Sequence, residues 1–322
     1  MPNVSFSELS GAFGHAVLLV CCAITLTASD EANGKDVQIV VNLPNMAHTW
    51  NAAAAKAATR EAQKLGVTLI LQDGQGNSAK QSSDLRNALN QGVDGIALGA
   101  NDARALTPVV NEVLASGVPI VMFDRTVEGA KSELAYFGLD NVSGGAAMAH
   151  YVLQRFPAGA KIAFLTGQPG SSPATDRAKG VHATLNSVRD KYPIIFEQTG
   201  NWMRAEGFTL TQNMLTGIGR PDAIIASNDD MALGVLSALQ QAGVPKGAVV
   251  VVGCDGTPEA LSKIRDGELA ASVEYPLKQV TMAMDALVQN VREKKPVQGE
   301  LLPAVLIESS NLASAERYSE LK

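Results

Sequence analysis

The chain has 322 residues, of which 46% are hydrophobic and 18% are charged, and its formal net charge is −6. This length is enough for two ordinary domains, because single cores stop growing near about 250–300 residues. The apolar share excludes a disordered chain, and an acidic chain without a cluster of lysines and arginines is a poor candidate for binding nucleic acid or an anionic membrane surface.

The N-terminus carries an uncharged apolar run of 12 residues, from 16 to 27. A membrane-spanning helix needs about 20 such residues, so this run is too short to be a membrane anchor. Small residues follow it, which predicts that residues 1–29 are an export signal peptide and that the mature protein is periplasmic. No lysine or arginine precedes Lys35, so the usual positive start of a leader is missing, and a buried N-terminal helix is the alternative.

The three cysteines also bear on the compartment. Cys21 and Cys22 would leave with the leader, so the mature chain keeps Cys254 alone and forms no internal disulfide, which suits an exported protein with a large core. A lipoprotein acylated at Cys21 or Cys22 is a second alternative, but the residues before Cys21 lack the small side chain expected there.

From residue 36 onward, short apolar strands alternate with helical segments that end near glycines. The first half is predicted to contain strands at 37–42, 68–72, 95–98 and 119–124, an alanine-rich helix ending at residue 65, and helices at 78–90 and 103–116. Strands that alternate with helices of this length predict βαβ units around a parallel sheet. Strands that are apolar throughout suit a sheet buried on both faces.

The same pattern restarts in the second half. Its strands are predicted at 161–166, 194–198, 223–227, 249–255, 270–274 and 304–307, and its helices at 175–188, 205–216, 229–242 and 277–292. The sequence therefore predicts an α/β fold of two similar halves, each an open parallel sheet of the Rossmann-like kind. No low-complexity linker separates the halves, so we expect them to share a cleft and to move on a hinge.

Polar and aromatic residues follow the predicted strands, where open α/β sheets bind ligands. They are His48, Thr49, Trp50, Asn51, Asp124 and Arg125 in the first half, and Trp202, Asn228, Asp229, Asp230, Asp255 and Glu274 in the second. Asp and Asn accept or exchange hydrogen bonds with hydroxyl groups, and Arg donates them in a planar fork. Both tryptophans fall in this set, and an aromatic surface suits the C–H face of a sugar ring. The set predicts a cleft for a small polyhydroxylated ligand.

Each of these residues also has an ordinary structural interpretation. Asp124 and Arg125 suit a surface ion pair worth about 0–1 kcal/mol, and the tryptophans suit a core. The run 228–230 suits a helix N-cap; we expect one of its two aspartates to cap the helix and Asn228 to contact the ligand. His48 suits a structural role and a ligand contact equally well.

Four segments resemble periplasmic sugar-binding proteins of the ribose-binding type, which serve ATP-driven (ABC) importers. They are Asp124-Arg125, Asp140–Gly145 (DNVSGG), Asn228–Gly234 (NDDMALG) and Val252–Pro258 (VGCDGTP). The similarity runs from about Val37 to near the C-terminus in matching order and spacing. The stretch 156–185 and the ending VLIESSNL look closest to the inositol- and ribose-binding branch.

The resemblance implies a periplasmic binding protein fold of type I, with two lobes joined by three hinge crossings and a sugar clamped between them. The lobes comprise residues 36–139 plus 275–303, and residues 140–274 plus 304–322, with crossings near Leu139, Glu274 and Pro303. It further implies a monomer without cofactor, metal or enzymatic activity that delivers its ligand to a membrane permease.

Carried over residue by residue, the resemblance implies a set of ligand contacts. The positions that match the family pattern directly or with another aromatic are Trp50, Asn51, Asp124, Arg125, Trp202, Asn228 and Asp255. Thr175 stands where ribose binders carry an arginine; Arg177 either substitutes for that arginine or serves as the family's second one. Cys254 replaces a phenylalanine of the family, and Glu274 replaces a glutamine. Together with His48, these residues make up the predicted site. Because three of them differ from the family pattern, the sequence does not distinguish between a pentose, a hexose and an inositol as the ligand.

Two other functions fit parts of the sequence. The effector-binding core of a LacI-type transcriptional regulator shares this fold but needs a DNA-binding module before the first strand, which only 36 residues precede. A sugar-modifying enzyme is the other: residues 74–79 match a GxGxxA pattern, but they follow the second strand, so we expect a turn and a helix cap there. Asp124 and Asp255 could pass for a catalytic carboxylate pair, yet Arg125 would hold them ionised, which suits binding.

Overall fold

The structure, a computed structural model, describes residues 36–321 of the chain. The predicted leader lies outside the described residues, and so do Cys21 and Cys22. Within residues 36–321, none of the helices combines the length and the apolar character that a membrane crossing requires.

Strands and helices alternate along most of the chain, as the sequence pattern predicts. The strands are β1 (Gln38–Leu43), β2 (Thr68–Asp73), β3 (Gly95–Leu98), β4 (Ile120–Phe123), β5 (Tyr136–Leu139), β6 (Ile162–Thr166), β7 (Ile194–Thr199), β8 (Ala223–Ala226), β9 (Val250–Asp255), β10 (Ala271–Glu274), β11 (Glu300–Leu302) and β12 (Leu306–Glu308). The α-helices are α1 (Thr49–Leu65), α2 (Ser78–Gln91), α3 (Thr107–Ser116), α4 (Asn141–Arg155), α5 (Ser172–Asn186), α6 (Arg204–Gly217), α7 (Asp229–Gln241), α8 (Pro258–Arg265) and α9 (Lys278–Glu293).

Three helices of the first half end at glycines in the left-handed conformation. The φ angles of Gly66, Gly92 and Gly117 are 60°, 70° and 77°. Glycine adopts this conformation without the steric cost of a Cβ atom, which explains why α1, α2 and α3 end there. The segment 74–79 forms a turn and the start of α2, which the Asn77 side chain caps, so the predicted turn and cap are confirmed.

The strands form two six-stranded sheets of the same kind. Their orders are β11-β5-β4-β3-β1-β2 and β12-β10-β9-β8-β6-β7. Every neighbouring pair is parallel except β10 with β12. β3, β4 and β8 are buried along their whole length, as expected for strands covered on both faces. The predicted fold of two parallel-sheet α/β lobes is confirmed.

The chain crosses between the two sheets three times, as the fold class predicts. After β5 it enters the second lobe, where α4 packs against α5 and β9; after β10 it returns to the first lobe, where α9 packs against α1 and β3; and β11 and β12 lie in different sheets. The residue bounds given above for each lobe stay predictions.

Five details of the structure differ from the prediction. β5, α8 and β11 are not predicted, because their four, eight and three residues are too few to show a clear periodicity. α4 is not predicted either, and Gly144 and Gly145 near its start have low helix propensity. α3 begins at Thr107 rather than Ala103. There the Asp102 carboxylate accepts hydrogen bonds from the backbone N–H groups of Arg104 and Ala105 and holds the chain in a turn instead.

The two lobes are in direct contact along the edges at which their parallel strands end. The hydrogen bonds that cross between them include Thr49 Oγ1 to Asp230 Oδ1 (3.0 Å), the backbone N–H of Ala103 to the carbonyl of Gly170 (2.9 Å), and the backbone N–H of Thr126 to Ser172 Oγ (3.0 Å). Because ligands of open α/β sheets bind beyond the carboxyl ends of the strands, these contacts enclose the expected position of a ligand.

Candidate ligand-binding site

A cavity with an empty volume of about 370 Å³ lies between the lobes. Its walls are His48, Trp50, Asn51, Asp124, Arg125, Pro173, Arg177, Trp202, Asn228, Asp255 and Tyr275. Nine of the twelve residues predicted from the sequence are in this set. Aromatic rings alternate in this lining with amide, carboxyl and guanidinium groups, so the cavity suits a small ligand with both apolar and hydrogen-bonding faces.

The first turn of α1 supplies an aromatic wall. The indole N–H of Trp50 donates a 2.7 Å hydrogen bond to the carbonyl of Tyr275, and the two rings meet edge to face with their centroids 5.1 Å apart. The Asn51 side-chain amide donates to the carbonyl of Asn45, at 2.9 Å. Tyr275, at a crossing between the lobes, therefore holds the Trp50 side chain, and the Trp50 ring offers the cavity an apolar surface.

Asp124 and Arg125 follow β4 and form a buried pair, not a surface one. Both side chains are at most 7% exposed, and Arg125 Nε lies 3.5 Å from Asp124 Oδ2. The Tyr275 hydroxyl donates to Asp124 Oδ1 at 3.0 Å. Burial raises the pKa of the Asp124 carboxyl, and the Arg125 guanidinium opposes that rise. The surface ion pair interpretation of these two residues is wrong.

Arg177 is the second guanidinium of the cavity and is only 2% exposed. Its Nε donates to Asn141 Oδ1 at 2.9 Å, and its Nη1 donates to the carbonyl of Ser227 at 2.5 Å. The guanidinium carbon lies 4.6 Å from the ring centroid of Tyr275 and 5.5 Å from that of Trp202. These distances are within the range of cation–π attraction.

Asn228 both caps α7 and lines the cavity. Its Oδ1 accepts from the backbone N–H of Met231 at 3.0 Å, and its Nδ2 donates to the carbonyl of Trp202 at 3.2 Å. The expectation that one of the following aspartates caps this helix is wrong. The Asp229 carboxylate instead accepts hydrogen bonds from Thr257 and Ser272, which join α7 to the segments around β9 and β10.

Asp255 differs from the other acids of the cavity because none of residues 36–321 donates a hydrogen bond to its carboxyl group, although the residue is 6% exposed. Its backbone is in an unusual conformation, with φ at 141°. Burial raises the pKa of this carboxyl well above its ordinary value; Asp229 adds to the rise and Arg177 opposes it. The carboxyl group is therefore available to accept hydrogen bonds from a ligand.

Three predicted residues do not reach the cavity. Thr175 is exposed on α5, because residues two apart on a helix point to different sides and Arg177 points inward. Cys254 is fully buried in the core beside Asp255, and burial raises the pKa of its thiol. Glu274 accepts a hydrogen bond from the backbone N–H of Glu316, at 2.5 Å.

Tyr275 and Pro173 line the cavity without having been predicted as contacts. Tyr275 directly follows Glu274, and consecutive residues at a strand end point to opposite sides. Alternation along β10 is thus the signal that identifies Tyr275. Pro173 lies in the first turn of α5, and no sequence pattern that we considered distinguishes it from an ordinary helix start.

The formal charges of the cavity cancel. Asp124 and Asp255 are matched by Arg125 and Arg177, and the pKa of His48 is lowered to about 4 by burial and by the charge of Arg125, so its ring is neutral at pH 7. A balanced set of donors and acceptors between aromatic rings favours an uncharged ligand rich in hydroxyl groups. Within residues 36–321, no cluster of histidine, cysteine and acidic residues could hold a metal ion.

Comparison with known proteins supports this interpretation. A model of the periplasmic binding protein domain matches residues 39–295. The ribose import binding protein RbsB of Bacillus subtilis is 32% identical over 292 residues, which cover 88% of this chain and 93% of that protein. The galactofuranose-binding protein YtfQ of Escherichia coli is 28% identical over 278 residues, covering 84% and 87%.

A solved structure has the same fold over nearly all of its length. The Caulobacter myo-inositol binding protein, bound to myo-inositol, superimposes with a TM-score of 0.87 at 37% identity, covering 89% of this chain and 98% of that one. The domain match, the Bacillus relative and the two-lobed fold show that this chain belongs to the periplasmic binding protein family.

Proposed function

We propose that this chain is an exported solute-binding protein that captures a monosaccharide or polyol between its lobes and delivers it to the permease of an ABC transporter. The observation that carries this proposal is the charge-balanced cavity, walled by tryptophans and enclosed by both lobes. The relatives named above include binding proteins for ribose, galactofuranose and myo-inositol, and none of their names describes an enzyme. A transport role is favoured over catalysis or regulation.

The proposed contacts divide between the lobes. Asp124 and Arg125 act from the first lobe, and Asp255 and Asn228 from the second, while the two indoles face the C–H surfaces of the ring. A ligand that contacts both lobes stabilises the closed form by its differential affinity, and a change from 1:99 to 99:1 closed requires about 5.5 kcal/mol. Several charge-assisted hydrogen bonds of about 1.5–3 kcal/mol each are sufficient for this.

The cellular context follows from the family. We propose that the mature chain begins near residue 30, acts in the periplasm as a monomer, and docks on the permease in its closed form. We also propose that residues 36–139 with 275–303, and 140–274 with 304–322, move as the two lobes.

A thermal-shift screen of residues 30–322 against pentoses, hexoses and inositols tests the proposal. A ligand at 100 times its dissociation constant adds about 2.7 kcal/mol to the free energy of unfolding, which gives a readily measured rise in melting temperature. Recovery of the bound compound unchanged distinguishes binding from turnover. If no compound stabilises a folded sample, or if the compound is converted, the proposal is wrong.

Asp230 is expected to control how fast the closed form opens. Its carboxylate, on α7, accepts hydrogen bonds from the Thr49 hydroxyl (3.0 Å) and backbone N–H (3.3 Å), at the start of α1 in the other lobe. Among residues 36–321, no first-lobe side chain caps α1, so Asp230 caps that helix across the cleft and stabilises the positive end of its dipole. Asp230→Ala is therefore expected to weaken ligand affinity about tenfold, through faster dissociation.

Stopped-flow tryptophan fluorescence measures this dissociation rate. Glu259→Ala is the matched control, since Glu259 pairs with Arg204 as Asp230 does but makes no interlobe contact. Combining Asp230→Ala with Thr49→Val is expected to add little to the effect of Asp230→Ala alone. Equal dissociation rates in the wild type and Asp230→Ala would contradict the role of Asp230.

Binding is expected to weaken as the pH falls. Burial raises the pKa of Asp255, and hydroxyl groups of a ligand would donate to its ionised form, so binding lowers that pKa again. Affinity then falls by up to about tenfold per pH unit once the pH is below the raised pKa. His48, with a pKa near 4, stays neutral over this interval. Calorimetric titrations at several pH values measure the effect, and an affinity that rises on acidification would contradict it.

A further inference from the structure

A glycine in the second lobe makes room for one aromatic wall of the cavity. Gly167 directly follows β6 and does not line the cavity, whereas Trp202 does. A Cβ atom on Gly167 would overlap three atoms of the Trp202 ring, namely Cη2, Cζ2 and Cζ3. These atoms form the outer edge of the indole, so any side chain at Gly167 requires that the ring move.

The backbones on both sides of this contact are tied together. Thr199 Oγ1 donates a 2.8 Å hydrogen bond to the carbonyl of Gly167. Asn201 and Trp202 have φ angles of 50° and 66°, and the Trp202 carbonyl accepts from the Asn228 side chain. Because the backbone is anchored in this way, we expect the indole rather than the chain to move, and this indole lines the cavity.

The position of the indole affects most of the cavity. Trp202 is 5% exposed, and its ring centroid lies 5.8 Å from the guanidinium carbon of Arg125, in the first lobe, and 5.5 Å from that of Arg177. Its Nε1 is buried and has no hydrogen-bond partner among residues 36–321. A displaced indole would therefore change the space that the cavity offers beside the two guanidinium groups.

We propose that Gly167 is a positioning residue. It determines how far the Trp202 indole extends into the cavity and thereby limits the size of the ligand that the cavity accepts. This inference rests on the proposed function and deepens it, since it identifies what separates larger from smaller ligands. A side chain at Gly167 penalises myo-inositol more than ribose, because myo-inositol carries more hydroxyl groups on its ring and needs the space that the indole would enter. Removing the outer indole atoms relieves the constraint.

The test is a double-mutant cycle with Gly167→Ala and Trp202→Phe. Phenylalanine lacks the three atoms that a Cβ on Gly167 would overlap. In the wild-type background, Gly167→Ala is expected to weaken binding of the tightest ligand from the screen at least about tenfold. In the Trp202→Phe background, the same substitution is expected to weaken binding less than about twofold. Gly167→Ala is also expected to lower the affinity ratio of myo-inositol to ribose. Gly217→Ala is the matched control, because its Cβ would meet no atom within 4 Å.

A readout without ligand separates this inference from the proposed function. Gly167→Ala is expected to lower the melting temperature of the unliganded protein in the Trp202 background and to leave it nearly unchanged in the Trp202→Phe background. An equal effect of Gly167→Ala in both backgrounds, on affinity or on melting temperature, overturns the inference. A screen in which no sugar binds overturns the proposed function, while the melting temperatures still decide whether Gly167 positions the indole.

Discussion

Asp255→Asn is expected to weaken ligand binding by about a hundredfold without lowering the stability of the free protein. The wild-type carboxylate has no hydrogen-bond donor among residues 36–321, so its donors come from the ligand. Two charge-assisted hydrogen bonds of about 1.5 kcal/mol each account for a loss of about 3 kcal/mol, which is about a hundredfold in affinity. The change keeps the shape of the side chain and removes its charge.

The expected change in the free energy of unfolding for Asp255→Asn has the opposite sign from the change that most substitutions of buried residues cause. Because burial raises the pKa of this acid, the folded state binds its proton more tightly than the unfolded state does, and the carboxyl destabilises the fold as the pH rises toward neutrality. Removing the charge is expected to leave the free energy of unfolding equal or higher at pH 7.

Calorimetry and urea unfolding measure the two effects of Asp255→Asn separately. Asp190→Asn, at an exposed position, is the control for loss of a negative charge. Unchanged affinity would show that Asp255 does not contact the ligand. Loss of stability in parallel with affinity would show that it is a structural residue.

Arg125→Ala is expected to weaken ligand binding by about a thousandfold. The Asp124 carboxylate is buried beside Arg125, and a buried charge without its partner costs about 3–5 kcal/mol. The closed, ligand-bound form bears this cost in addition to the lost contacts of the guanidinium with the ligand. The effect therefore exceeds that of removing a ligand contact alone.

A second substitution tests whether the unpaired charge of Asp124 causes part of the loss in Arg125→Ala. Asp124→Asn in the Arg125→Ala background removes the unpaired charge, so the double variant is expected to bind about tenfold more tightly than Arg125→Ala alone. Arg86→Ala, which breaks an exposed pair with Glu112, is expected to leave affinity unchanged. If the losses of binding free energy from Arg125→Ala and Asp124→Asn are additive in the double variant, Asp124 and Arg125 do not act as a buried ion pair and this explanation is wrong.

The positions that follow the predicted strands include most residues of the cavity. Trp50, Asp124 and Asp255 follow β1, β4 and β9, and parallel strands bring their carboxyl ends to one edge, so chain position alone places such residues near each other. Chain position does not specify side-chain direction. Glu274 ends β10 and so occupies such a position, yet its carboxylate accepts a hydrogen bond from Glu316 and does not line the cavity.

Because chain position does not specify side-chain direction, two residues have roles in the structure that differ from the predicted ones. Asn228 was expected to contact a ligand while an aspartate capped α7, but the cap geometry depends on backbone angles that composition does not reveal. Tyr275 was considered only as a neighbour of a crossing point. In the fold it donates to Asp124 and packs against Trp50 and Arg177, so it contacts elements from both lobes.

The order of apolar runs, glycines and helical segments determined the two-lobed α/β architecture, because periodicity and helix ends are local properties that neighbouring residues specify. The pairing of Asp124 with Arg125 away from solvent, the unpartnered carboxyl of Asp255, the capping of α1 by Asp230 and the room that Gly167 leaves for an indole were decided only by tertiary structure. Each depends on atoms from segments far apart in the chain, and their distances follow from how the lobes pack and close.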